Sequence, residues 1–149
     1  MTLDLDNEGY SAKQYLKQVE LLDIKLAQKR RELDQLRQDY GLAGIDYSKD
    51  HVQGNSKTEA SFVRMAERAS ELEREISDAI VKLINCRETI INEIHSLQDE
   101  RYIKLLYMRY VDYASLCQIA RQMSYAYHYT AKLHWQALRA FEKEFILRK

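Results

Sequence analysis

Apolar residues step through two long windows of this chain at alternating intervals of three and four, and no proline interrupts either window. In residues 11–40 they are Ala12, Tyr15, Val19, Leu22, Leu26, Leu33, Leu36 and Tyr40, with Lys29 in the one missing slot. In residues 57–97 they are Phe62, Met65, Ala69, Leu72, Ile76, Ala79, Leu83, Cys86 and Ile90. A strand would need a period of two; this stepping belongs to a helix that buries one stripe along a partner. The first window predicts a helix of roughly 45 Å at about 1.5 Å per residue. A helix that long needs a partner helix, and two arrangements supply one. The two windows fold back on each other as an antiparallel, coiled-coil-like hairpin, or one or both seams build a homodimer. Heptads report a partner but not whose it is.

The punctuation agrees with this. Ser11 is an expected N-cap and Gly41 an expected stop. Three of the four glycines, with Asn55 and Ser56, fall in residues 41–56, which read as a loop. Ser56-Lys57-Thr58-Glu59 matches a capping box opening the second window. Glu67, Arg68, Glu71, Glu73, Arg74 and Glu75 form a solvated exterior. Residues 1–10 are expected to be a disordered N-terminus. A hairpin at 11–97 and a separate domain at 98–149 follow, all of it α.

With 149 residues the chain can bury a core without disulfides or metal. Cys86 and Cys117 stand 31 residues apart with no Cys-x-x-Cys, which fits two thiols in a reducing compartment. No apolar run approaches the roughly 18 residues that span a bilayer, and the acidic N-terminus lacks the form of a signal peptide. A cytoplasmic location, with no membrane partner, is expected. Lys plus Arg equal Asp plus Glu at 23 each, so no global field draws in nucleic acid. The charge is uneven, however. Residues 1–96 carry 14 basic and 18 acidic side chains, and residues 97–149 carry 9 and 5.

The basic third holds the motif that carries function. Asp99 can cap a helix from Glu100 to Val111, and Ser115-x-x-Gln118 is a capping box opening a short helix. A break at Ser124-Tyr125 precedes a longer helix with Leu133, Ala137 and Phe141 at four-residue spacing. A short helix, a tight turn and a longer helix form the layout of a helix-turn-helix, which places its second helix in the major groove of DNA.

The motif resembles region 4 of bacterial sigma factors and the related small phage regulators. The residues that carry the likeness are Arg109-Tyr110, Gln118-Ile119-Ala120, the turn at Met123-Ser124, Leu133 to Leu138, and Phe141, with no gap in the spacing. With a heptad-bearing N-terminal half in front, the chain is similar to a family of phage proteins from Gram-positive hosts, related to the RinA and ArpU types of late-gene regulator. The resemblance implies control of late phage genes in the host cytoplasm, by a homodimer on promoter DNA.

The chain departs from that pattern at the turn and the start of the second helix. Ser124 stands where Gly is usual, Ala126 where a Ser cap is usual, Thr130 at an aliphatic core position, and Tyr127-His128-Tyr129 where basic or small polar residues are common. Losing the cap costs about 1 kcal/mol. These changes open a second reading, in which the same face and the coiled coil bind RNA polymerase or another host or phage protein rather than DNA.

Under the DNA reading Tyr127, His128, Ala131 and Lys132 approach base edges, while Lys104, Arg109, Arg121 and Arg139 contact phosphates. Solvated surface charge is the plain alternative for the basic residues, and an internal ion pair that anchors the helices is a further one for Arg109. Tyr125 is expected in the core, and one of Tyr127 and Tyr129 on the protein body. Trp135 is either partly buried or an interface anchor. His51, His95, His128 and His134 show no metal-ligand spacing, and no nucleophile elbow or Gly-rich loop occurs. Neither catalysis nor a cofactor or metal is expected.

Overall fold

The computed structural model describes residues 9–40 and 56–147, with side chains from Glu59 in the second stretch. Of the segment expected to be disordered at 1–10, residues 1–8 lie outside the described residues, while Gly9 and Tyr10 cap and begin a helix. Of the loop expected at 41–56, residues 41–55 lie outside them and Ser56 begins a helix, and the capping-box side chains at 56–58 also lie outside.

All described secondary structure is helical. The helices are α1 (Tyr10–Leu16), α2 (Gln18–Asp39), α3 (Ser56–His95), α4 (Glu100–Tyr110), α5 (Leu116–Met123) and α6 (Tyr127–Phe141). A wider π-helical turn, Glu142–Ile146, follows α6. Among the described residues no helix is long and apolar enough to cross a membrane. The first helix begins earlier than Ser11: its N-cap is Gly9, with φ +92°.

The chain forms two compact units. One comprises Asp23–Lys82, and the other Met1–Leu22 with Leu83–Lys149. In the first, Leu33 packs with Ala69 and Leu72, and Leu36 and Ile76 close over them. Lys29, the polar residue in the apolar stripe, reaches across to Glu75 at 2.9 Å, and Arg68 to Glu32 at 3.0 Å. The ends of the stripe stay open, with Tyr40 and Phe62 about half exposed.

In the second unit α6 is the hub, because α4, α5, α1 and the π-helical turn all pack on it. Leu133, Ala137, Leu138 and Phe141 are fully buried on α6, as are Leu105, Leu106 and Ile119 on α4 and α5. From the N-terminal side Ala12, Leu16 and Val19 are fully buried, and the Tyr15 ring packs at a tilt against Phe141, with centroids 5.8 Å apart. The Tyr15 hydroxyl donates to Glu93 at 2.5 Å. The backbone N–H of Gly9 donates to the buried carboxylate of Glu142. A Cβ at Gly9 would sit 3.3 Å from Leu138, so glycine serves both the positive φ and the close approach. The residues before α2 and those after α3 therefore share one core.

Candidate nucleic-acid interface

Local chemistry sets the three C-terminal helices. The Asp99 carboxylate accepts from the Arg101 backbone N–H at 2.9 Å and caps α4. Arg101 also pairs with Asp99 through its guanidinium, which holds the Asp99 carboxyl below its ordinary range. The other arm of Arg101 donates to the Tyr129 hydroxyl at 2.7 Å, tying the start of α4 to the start of α6. At α5 both halves of the capping box form: Gln118 N–H to Ser115 Oγ, and Ser115 N–H to the Gln118 amide oxygen.

The turn between α5 and α6 closes on Ser124, which is left-handed at φ 59°, ψ 40°. Its N–H donates to Arg121 O at 3.2 Å, and the Tyr125 N–H reaches back to Ala120 O at 2.9 Å. This is a Schellman closure with serine where glycine is cheapest. Ala126 gives α6 no side-chain cap. Thr130 is fully buried, and its hydroxyl bonds back to the Ala126 carbonyl at 3.0 Å, so the polar group in the core is satisfied within its own helix.

Inside α6 a second polar residue, His134, faces the core. His134 is 4% exposed, and its Nε2 lies 2.7 Å from the Tyr110 hydroxyl. Burial, with Arg109, Lys13 and Lys17 nearby, pushes His134 down to about 4. Burial raises the Tyr110 phenol above its ordinary value. Both rings are thus neutral near pH 7. The pair joins α4 to α6.

The opposite side of α6 is an outward stripe. On an α-helix His128, Lys132, Trp135 and Arg139 fall within about 60° of arc. His128, Lys132 and Arg139 are exposed, and Trp135 is 39% exposed. Of the residues expected to read bases, His128 and Lys132 therefore lie on the stripe's axis. Tyr127, 54% exposed, and half-buried Ala131 lie off the stripe, about 80° and about 40° beyond its nearer edge. Tyr129 is the tyrosine that packs on the body, meeting Tyr125 edge-on at 4.9 Å.

The residues expected to contact phosphates divide. Arg121 and Arg139 are exposed on α5 and α6. Lys104 is exposed but pairs with Glu100 at 2.8 Å. Arg109 is half-buried and donates to the Ala114 carbonyl at 3.0 Å. It anchors the α4–α5 connection through a carbonyl rather than through an ion pair.

Sequence reasoning left out Arg101, and it weighed Trp135 as partly buried or an interface anchor without placing it beside His128, Lys132 and Arg139. Trp135 belongs to the stripe, and the spacing from His128 to Lys132 to Trp135 to Arg139 is visible in the sequence once α6 is drawn as a helix. Arg101 holds Tyr129 from a position 28 residues earlier, and no local signal marks that. Among the described residues no group of three or more His, Cys, Asp or Glu side chains could hold a metal ion. Comparison of the chain with protein-family models, curated proteins and solved structures finds no match.

Proposed function

We propose that the chain is a sequence-specific regulator of transcription that docks α6 in the major groove of double-stranded DNA. In this reading α5 and α6 act as a helix-turn-helix of the sigma-region-4 kind, and α4 braces them. The paired stretches of α2 and α3 act as a coiled-coil hairpin that dimerises or meets RNA polymerase. The genes controlled are late phage genes, following the resemblance of the motif.

One observation carries this reading. A turn closed by backbone bonds presents an α6 whose outward stripe bears His128, Lys132 and Arg139, with no acidic residue anywhere on that helix. Histidine and tyrosine can hydrogen-bond base edges, and lysine pairs with guanine or phosphate. Lys132→Glu is expected to weaken binding and to reduce the salt slope by about one unit. Unchanged affinity would remove Lys132 from the interface.

The stripe also supports a second reading, a protein-binding face. Tyr127 and Trp135 are exposed, while Arg109 and Lys104 spend their donors on partners within the chain. Aromatic anchors of this kind suit protein interfaces. Capturing fragments of the source genome with the purified protein at near-physiological salt separates the two. Enrichment of a few intergenic fragments supports the regulator. Binding without enrichment that disappears as salt rises supports the protein partner.

A further inference from the structure

We infer that α1 adds a second nucleic-acid contact, in which Lys13 and Lys17, with Arg139 of α6, grip the phosphate backbone beside the groove that α6 enters. This rests on the duplex-binding reading above. It adds a surface outside the helix-turn-helix and in the half of the chain whose net charge is negative.

The geometry comes from the packing of α1 on α6. Gly9 abuts Trp135, Leu138 and Arg139. Ala12 and Leu16 are fully buried, so Lys13 and Lys17, one turn apart, flank the buried line. Lys17 is exposed and Lys13 half-buried. The Lys13 ammonium stands 5.7 Å from the centre of the Trp135 ring, and Trp135 lies on the outward stripe of α6. The stripe therefore continues from α6 onto α1.

Charge supplies the second argument. Within this unit Arg101 pairs with Asp99 and Lys104 with Glu100. Lys13, Lys17 and Arg139 form no ion pair among the described residues. The Glu142 carboxylate is buried and accepts from the Gly9 N–H. Like charges left close together without acidic partners are suited to a polyanion.

Scale identifies the part of the polyanion. From Tyr127 to Trp135 α6 rises about 12 Å, close to the width of the major groove. A helix that enters the groove by its N-terminal turn leaves Trp135 and Arg139 level with the flanking phosphates. Lysine ammonium groups contact phosphates as point charges and carry no base preference.

The test uses the full chain and a fluorescent mixed-sequence duplex of about three helical turns, titrated from about 50 to 200 mM salt. Lys13→Gln with Lys17→Gln is expected to flatten the slope of log affinity against log salt by about two. The loss of affinity across that salt range then shrinks by about tenfold. Lys17→Gln alone, at an exposed site, is expected to flatten it by about one. That single variant decides the matter if the double variant melts differently from wild type. A wild-type slope in a variant that melts normally overturns the inference and leaves duplex binding standing. A wild-type chain that binds no duplex at any of these salts overturns both.

Discussion

The unit built on Asp23–Lys82 and the unit that holds α6 are both helical, but they are specified differently. In the first, the buried residues form a narrow apolar line through Leu26, Leu33, Met65, Ala69 and Leu72. Its polar contacts are ion pairs such as Arg37–Glu73 and Arg68–Glu32, between side chains 40% or more exposed. Such pairs contribute little and weaken with salt. In the second, Thr130, His134 and Glu142 are buried, and each has a hydrogen-bond partner. A periodic apolar line accepts a shift by one heptad with modest loss. A buried polar pair accepts none, because a shift strands a donor or an acceptor away from water. The unit that presents the outward stripe is thus the one whose geometry is set by contacts that cannot slide.

The sharpest way to break this comparison is to delete equal volumes from the two cores. Leu133→Ala, at a fully buried site on α6, is expected to cost about 3–4 kcal/mol in urea unfolding. Leu33→Ala, buried in a small cluster beside Ala69 and closed over by the half-buried Leu36 and Ile76, is expected to cost about 2 kcal/mol. Equal losses would mean that the two units are equally tightly built.

Acid sharpens it further. The folded His134 sits at about 4 against an ordinary 6.5, so the unfolded chain binds the proton and the folded chain does not. Stability from this group is full above pH 6.5 and falls as pH drops toward 4, by about 3 kcal/mol in all. His134→Gln keeps a donor and an acceptor for Tyr110 but does not titrate. Its unfolding free energy, followed by circular dichroism between those pH values, should show that much less acid loss. An identical acid profile would place the titrating group elsewhere.

The smallest expected effect is at the turn. Ser124→Gly removes a side chain from a left-handed position and should raise stability by about 0.5–1 kcal/mol, read as a higher melting temperature. A lower melting temperature would mean that the serine side chain itself supports the turn.

Much of this molecule was legible before its structure, and the legible parts share one property. The helix starts at Asp99 and Ser115, the left-handed Ser124 and the uncapped Ala126 all depend on bonds within a few residues along the chain. The apolar stripes follow helical period, and most of their residues are buried or half-buried. What the sequence did not show lies where a distant residue or a backbone acceptor intervenes. Ser11 looked like the cap because nothing nearby shows that Gly9 meets Glu142, 133 residues away. For Arg109 the expected ion pair gives way to a backbone carbonyl only five residues on, because a carbonyl acceptor has no side-chain signature. His134 carried no sign of its core bond because its partner, Tyr110, lies 24 residues upstream on another helix.

By itself, then, the sequence determined that the chain is helical, where its C-terminal helices start and turn, and which stripe of each long helix is apolar. Period and capping are local, and each residue settles its part with neighbours three or four positions away. Only the tertiary structure decided that α1 lies on α6, that Lys13 stands over Trp135, and that Arg101 holds Tyr129. Those contacts join positions 28 to 133 residues apart, and they exist because packing buries apolar faces and brings along whatever polar groups those faces carry.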